Sequence, residues 1–121
     1  MPKFKKRFCG LRRHWLELYL LLLIAEKPSY GYELSTKLKD FGIMILGIGQ
    51  MGNLYRILSQ LEAERFVKTD WDTQESGPAR KIYIITDDGL LFLRDAMSSV
   101  IEMEKTTEKF VERYEKLNKK A

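Results

Sequence analysis

Apolar residues recur with a helical period over residues 52–62. Four of them follow the i, i+3, i+4, i+7 spacing, which places their side chains on one face of a helix, directed toward a core. They are Leu54, Ile57, Leu58 and Leu61. The pattern therefore predicts a short amphipathic helix.

The opposite face of this helix carries polar side chains that suit DNA bases. Asn53, Arg56 and Gln60 form the stripe. In a major groove an arginine can pair with guanine, and an asparagine or glutamine can pair with adenine. The residue types therefore indicate a recognition helix with three candidate base-reading side chains.

A β-hairpin is expected directly after this helix, with strands over residues 66–71 and 81–85. The loop between them holds Gly77, Pro78 and Ala79, which are typical of turns, and it ends in the cations Arg80 and Lys81. A helix followed by a basic-tipped hairpin is how a winged helix contacts DNA. The same two elements also occur in small domains of other function, so the pattern alone leaves both alternatives open.

Two further helices are predicted before the recognition helix. The first runs over residues 11–26 and ends before Pro28, which disfavours helical geometry in the residue ahead of it. Ser29 is the expected N-cap of the second helix, and residues 42–51 form the turn that follows it. The expected fold is mainly α with a small β-hairpin wing, a winged helix-turn-helix domain over residues 1–86.

The last helix is predicted over residues 87–118, which is too long to be supported by one small domain. Thr86 is its expected N-cap, and Asp87 and Asp88 suit its electropositive start. Its apolar residues alternate spacings of three and four, the period of a coiled seam.

Residues 87–121 are therefore expected to form a dimerisation segment, most economically with a second copy of the chain. The alternative is that its apolar side chains fold back on their own monomer. The expected interface comprises Leu93, Met97, Val100, Ile101, Val111 and Tyr114, with Phe110 beside it and Glu104 and Thr107 at intervening positions.

Composition describes a folded domain rather than a disordered chain. Of 121 residues, 45% are hydrophobic and 31% are charged, and the net charge is +4. Six cations precede the first acidic residue, and this basic N-terminal arm would favour phosphate contacts if it reaches DNA, or else form a solvated terminus. They are Lys3, Lys5, Lys6, Arg7, Arg12 and Arg13.

The basic arm and the apolar residues 15–25 also resemble the first two zones of a secretory signal peptide. Glu17 interrupts the apolar run, no small-x-small cleavage pattern follows Ile24, and the run is shorter than the ~20 residues that span a bilayer. A single cysteine, Cys9, excludes an intrachain disulfide and is compatible with a reducing cytoplasm. We therefore expect a cytoplasmic protein without a membrane partner.

One motif favours an enzyme. Gly47, Gly49 and Gly52 match the G-x-G-x-x-G fingerprint of dinucleotide-binding folds, and Asp70 or Asp72 lies at the distance of a ribose-binding acid. The chain that follows is too short for the further parallel strands of such a fold. The glycines are instead expected to allow a tight bend into the recognition helix and close approach to a phosphate.

No catalytic, cofactor or metal constellation is predicted from the other residues. His14 is the only histidine, and with Cys9 it would supply two ligands where a closed zinc site needs four. The protein is therefore not expected to be an enzyme. A winged helix that binds protein rather than DNA is the non-enzymatic alternative.

Three separated sequence blocks carry a family resemblance. They are Ser-Tyr-Gly-Tyr-Glu-Leu at residues 29–34, Gly-x-Leu-Tyr-Arg-Ile-Leu-x-x-Leu-Glu at residues 52–62, and Gly-Pro-Ala-Arg-Lys-x-Tyr-x-x-Thr-Asp-Asp-Gly at residues 77–89. Their order and gaps resemble the PadR family of transcriptional regulators. The resemblance implies a winged-helix homodimer on double-stranded DNA that mostly represses transcription, with a response to small aromatic effectors in some members. It adds Tyr30 and Tyr55 as candidate phosphate contacts beside Arg80 and Lys81.

Three positions depart from the family pattern. Gln50 replaces the Ser that usually caps the recognition helix, and Asn53 stands where Thr or Ser is common. Arg65 replaces a Gly that ends the helix. If this position keeps a left-handed conformation, the substitution costs ~1 kcal/mol.

Overall fold

The protein folds as four helices and a small antiparallel sheet in a computed structural model that describes residues 15–72 and 77–120. The first helix, α1, is described over residues 15–26. The remaining elements in chain order are β1 (Ser29–Tyr30), α2 (Gly31–Lys37), a 3₁₀ turn (Leu38–Phe41), α3 (Gly47–Ala63), β2 (Val67–Asp72), β3 (Arg80–Ile85) and α4 (Asp87–Lys120). The mainly helical winged helix-turn-helix expected from the sequence is confirmed.

One hydrophobic core holds the first three helices and the sheet together. The four α3 residues singled out by their spacing are all buried, so the amphipathic helix is confirmed. Each buried leucine or isoleucine contributes roughly 1.5–3 kcal/mol relative to an exposed one. The core comprises Leu20, Leu21, Leu23, Ile24, Leu34, Leu38, Leu54, Ile57, Leu58, Leu61, Val67 and Tyr83. Because the inner face of α3 is fixed in this core, its outer face is held in a defined direction.

The sheet has three strands in the order β1-β3-β2, all antiparallel. The two hairpin strands are confirmed, each shifted by one residue from its expected start. The strand β1 was not expected, because two residues are too short to show an alternating pattern. Its register places both Ser29 and Thr69 opposite Tyr83 on the central strand.

The prediction that Ser29 caps α2 is wrong. Ser29 is fully buried in β1, where its hydroxyl donates a hydrogen bond to the carbonyl oxygen of Lys27 at 2.8 Å. The same hydroxyl accepts a hydrogen bond from the ammonium of Lys37 at 2.9 Å. Tyr30 is the N-cap instead, and its amide donates to the carboxylate of Glu33 at 3.1 Å. Because Ser29 pairs with β3, the N-cap of α2 lies one residue later than expected.

The recognition helix α3 begins at Gly47, five residues earlier than its pattern indicated. The turn region is accordingly residues 42–46, with Gly42 and Gly47 in positive-φ conformations at its two ends. Gln50 lies inside the helix, and its side-chain oxygen accepts a hydrogen bond from the amide of Leu46. This contact satisfies the backbone donor of the N-cap residue Leu46, as a Glu or Gln side chain does in a capping box. The sequence did not predict the first turns of this helix, because they are rich in glycine, which has a low helix propensity.

The start of α4 is capped as expected. The hydroxyl of Thr86 accepts a hydrogen bond from the amide of Gly89 at 3.0 Å and donates to the carbonyl oxygen of Arg65 at 2.7 Å. A Cβ at Gly89 would lie 2.1 Å from the carbonyl oxygen of Phe66, so glycine is needed for this close approach. Arg65 has a φ of 66°, which confirms the expected left-handed end of α3. The α3 terminus and the α4 start therefore form one junction.

Candidate nucleic-acid interface

The outer face of α3 presents the polar stripe that the sequence indicated. Asn53 and Arg56 are exposed to solvent, on the side of the helix opposite the core. Gln60 is half-buried and donates a hydrogen bond from its side-chain amide to the carboxylate of Glu64 at 3.1 Å. Two of the three candidate base readers thus extend from the surface, and the third is held along the helix by an i, i+4 contact.

Tyr55 joins the recognition helix to the start of α2. Its ring lies so close to Gly31 that a Cβ there would meet the ring carbon Cε1 at 2.4 Å. The tyrosine is nevertheless 42% exposed. The glycine of the first sequence block and the tyrosine of the second therefore form one packing contact. The contact holds an aromatic hydroxyl beside the polar stripe.

Tyr30 connects the start of α2 to the wing strands. Its hydroxyl donates a hydrogen bond to the carboxylate of Asp72, and the guanidinium carbon of Arg80 lies 4.6 Å from the centre of its ring. Asp72 and Arg80 face each other across the β2–β3 ladder. The hydrogen bond to Asp72 raises the pKa of Tyr30, so the phenol stays protonated as a donor. The three side chains form a wing-base cluster.

Lys81 is directed toward α3 rather than toward the wing tip. Its ammonium nitrogen lies 3.0 Å from a carboxylate oxygen of Glu62, the last residue of the second sequence block. Glu62 also accepts a hydrogen bond from the hydroxyl of Thr69 at 2.5 Å. The Thr69 bond, followed by that from Lys81, lowers the pKa of Glu62, so the carboxylate stays charged. This three-residue network could not be predicted from the sequence, because its members come from three different elements.

The glycines of the apparent dinucleotide fingerprint lie in the first turns of α3. Residues 43–46, where a dinucleotide-binding fold would need a strand before the glycines, are neither strand nor helix. The sheet in residues 15–72 and 77–120 is wholly antiparallel. A doubly wound nucleotide-binding fold needs parallel strands. The dinucleotide interpretation of Gly47, Gly49 and Gly52 is therefore wrong. Among the described residues, no three His, Cys, Asp or Glu side chains are grouped to hold a metal ion.

The helix α4 extends far beyond the core. Leu93 packs against the core cluster and Val100 is half-buried, but every side chain over residues 101–119 is exposed. Within the expected interface, Met97 is 49% exposed, Ile101 and Val111 are each 46% exposed, and Tyr114 is 60% exposed. An open groove between α1 and α4 is lined by residues that include Trp15, Tyr19, Val100, Met103 and Val111. A long apolar stripe thus has no cover within its own described chain.

Several expectations concern residues outside the described ranges. The basic N-terminal arm, Cys9 and His14 precede residue 15, and the loop residues 73–76 lie between the two ranges. No helix over residues 15–72 and 77–120 combines the length and the apolar character that a membrane crossing requires.

The chain is similar to known regulators over most of its length. Residues 20–95 match the PadR-like family of transcriptional regulators. A conserved protein of unknown function, which is a potential transcriptional factor, is 50% identical with a TM-score of 0.69 and covers 85% of this chain and 90% of its own. A PadR-like transcriptional regulator from Bacillus cereus is 32% identical with a TM-score of 0.68, covering 79% of this chain and 90% of its own.

A third solved structure is similar over nearly its whole length. The PadR-like transcription factor from Bacteroides fragilis is 27% identical with a TM-score of 0.72, and the match covers 87% of this chain and 98% of that one. Proteins of this family are regulators rather than enzymes, which confirms the non-enzymatic expectation. The family match, the antiparallel wing and the capped junction after α3 agree, and the protein belongs to the PadR-like family of transcriptional regulators.

Proposed function

We propose that the protein is a transcriptional repressor that binds a pseudo-palindromic DNA operator as a homodimer. The observation that carries this proposal is the outer face of α3, where Asn53 and Arg56 are exposed while the opposite face is fixed in the core. In helix-turn-helix proteins such a face enters the major groove, and dimers read half-sites about one helical turn apart. Repression follows from occupation of promoter DNA.

The contacts divide into base reading and backbone positioning. Asn53 and Arg56 have the side chains that pair with adenine and guanine, and Gln60 can join them by exchanging its Glu64 contact for a base. Tyr55, which is 42% exposed, offers a hydroxyl donor suited to a phosphate oxygen. The hydroxyl of Tyr30 donates to Asp72, so it would have to exchange this hydrogen bond for one to a phosphate.

The wing cations are expected to contribute little to affinity. Arg80 shares the wing-base cluster with the carboxylate of Asp72, and Lys81 is paired with Glu62. Each cation is therefore partly neutralised before DNA arrives, and releasing it for a phosphate costs an existing interaction. Their role is chiefly to hold the wing against α2 and α3.

Dimerisation is supported by the exposure of α4. Helices in proteins gain most of their stability from the packing of an apolar face. The second half of α4 has such a face and no intramolecular contact to cover it among the described residues. A second copy of the chain, packed along Met97, Val100, Ile101, Val111 and Tyr114, supplies the missing cover.

An aromatic effector has a place to act in this arrangement. Trp15 and Tyr19 line the groove between α1 and α4, with ring centroids 6.4 Å apart. A flat aromatic molecule in the groove would contact both the dimer seam and the DNA-binding domain. It would release DNA only by binding more tightly to a dimer geometry whose recognition helices no longer match the groove spacing.

Selection of bound DNA from a random-sequence duplex library, followed by footprinting and sedimentation, tests the proposal. The expected result is an enriched sequence with two related half-sites ~10 base pairs apart and a particle of twice the chain mass. The affinity should fall steeply with added salt, since phosphate contacts release counterions. A monomer that enriches no duplex would contradict the proposal and favour a winged helix that binds protein.

A further inference from the structure

The start of α3 carries an exposed apolar side chain that the proposed polar contacts do not use. Ile48 is 93% exposed, and its neighbours Leu46 and Met44 are 64% and 54% exposed. No apolar group of the described chain covers Ile48, and burial of such a side chain against an apolar group would be favourable. Because Ile48 lies on the recognition helix and is not part of the core, DNA is the partner expected to cover it.

The helical period places Ile48 in line with the proposed base readers. Ile48, Gly52 and Arg56 are four residues apart in turn, so they form one ridge along the outer face of α3. Eight residues at 1.5 Å each separate the ends of the ridge by about 12 Å, the length of three to four base-pair steps. Ile48 and Arg56 can therefore contact different base pairs of one half-site.

The glycines around Ile48 leave room for a close approach. Gly47, Gly49 and Gly52 have no atom of the described chain within 4 Å of an added Cβ, so they stand on open surface. Residues at the N-terminal end of a recognition helix are those that contact base edges. Among the large apolar side chains of the described residues, Ile48 is the most exposed.

We infer that Ile48 reads thymine by packing against its C5-methyl group in the major groove. The thymine methyl is the one apolar feature that a base pair presents there, and apolar side chains recognise it. This inference rests on the proposed DNA-binding function and adds a specificity-determining residue to it. It predicts a thymine three to four base pairs from the base read by Arg56 in each half-site.

Replacement of thymine by deoxyuridine provides the test, because it removes only the methyl group. The probe is the duplex enriched from the random-sequence library, with each thymine replaced singly. At one position per half-site, deoxyuridine should weaken binding by the full-length protein about fourfold, the effect of one buried methyl group. In the I48A variant, the same replacement should change affinity by less than about 1.5-fold.

Two further variants serve as controls. I48V keeps two branched methyl groups and should retain most of the thymine preference. L90A removes an apolar side chain that is 47% exposed at the start of α4, away from the recognition helix, and should leave the deoxyuridine effect unchanged. Alanine favours a helix at least as well as isoleucine, so I48A is expected to fold, as thermal unfolding will show.

The possible outcomes separate this inference from the function on which it rests. Equal deoxyuridine effects in the wild type and I48A would overturn the inference while leaving DNA binding intact. A uniform loss of affinity in I48A at every sequence would also overturn it, as would a changed oligomeric state with unchanged DNA affinity. Failure of the wild type to enrich any duplex would overturn the proposed function, and this inference with it.

Discussion

The ammonium nitrogen of Lys81 lies 3.0 Å from a carboxylate oxygen of Glu62, so the central wing strand is tied directly to the recognition helix. Thr69 on the adjacent strand donates to the same carboxylate. The wing and α3 are therefore expected to move together when the protein meets DNA.

This network should make the unfolding free energy depend on pH in the acidic range. The pKa of Glu62 is lowered in the folded chain, so its contribution is present above the unfolded value of ~4.3 and is lost as pH falls through the folded pKa. E62Q should flatten the decline in unfolding free energy below about pH 4.3. Because Glu62 is partly exposed, solvent screening keeps the effect small. Urea titrations across this range measure it, and E26Q, on the exposed end of α1, is the matched control.

Replacement of Arg65 by glycine should stabilise the protein. Arg65 has a φ of 66°, where an L side chain is strained and glycine is not. We expect R65G to raise the unfolding free energy by ~1 kcal/mol at a fixed protein concentration. E64G is the control, because Glu64 has a φ of −81° and loses helix propensity on substitution. Destabilisation by both variants would contradict the strain at Arg65.

An alanine at Gly89 should have the opposite effect. Its Cβ would lie 2.1 Å from the carbonyl oxygen of Phe66 and 2.7 Å from the side chain of Ile85, so the α3–α4 junction must open. We expect G89A to lower the unfolding free energy by about 1–3 kcal/mol. G49A, where nothing lies within 4 Å, should be neutral or slightly stabilising in the same denaturation experiment.

Two arginines should differ in their effect on DNA affinity. R56A should weaken the preferred operator by ~1–3 kcal/mol and relax its sequence preference, because a base contact is lost. R80A should weaken all duplexes alike and only slightly, with a salt slope reduced by less than about 1, because Arg80 is already partly neutralised by Asp72. Fluorescence anisotropy with the selected duplex and a scrambled duplex separates the two. Equal losses on both duplexes for R56A would remove Arg56 from base reading.

A charge placed in the proposed seam should separate the dimer. I101E puts a carboxylate where two copies of α4 are expected to bury apolar surface, so the dimer dissociation constant should rise by at least tenfold. Thr106 lies on the opposite side of the 3.5-residue period, and T106E should leave dimerisation unchanged. Sedimentation velocity over a concentration series provides the measurement. A dimer that tolerates I101E would place the interface elsewhere.

The sequence was sufficient for the elements that carry a regular pattern. The spacing of Leu54 and Ile57 identified α3, and the Thr86 cap followed by the acidic Asp87 located the start of α4. The sequence did not predict the two-residue strand β1 or the first turn of α3 at Gly47. Strand β1 is set by its pairing with β3, and the glycines at the start of α3 interrupt the helical pattern. The pattern of apolar and polar residues along the chain does not show pairing between distant strands such as β1 and β3.

The candidate site was also predicted only in part. The outward direction of Asn53 and Arg56 follows from the helical period, so it could be inferred without coordinates. The partners of Tyr30 and Lys81 could not, because Asp72 and Glu62 reach them only after the wing has folded onto the helices. The number of cations in the wing sequence therefore overestimates the positive charge that is free to contact DNA.

The contact between Gly31 and Tyr55 limits the order in which this protein can change during evolution. A methyl group at position 31 would collide with the ring, so an alanine there becomes tolerable only after a smaller residue has replaced the tyrosine. The reverse order, with the tyrosine lost first, leaves a gap but no collision. Loss of Tyr55 should therefore precede substitution of Gly31, and a variant of altered operator preference that loses Tyr55 would then accept a side chain at the start of α2.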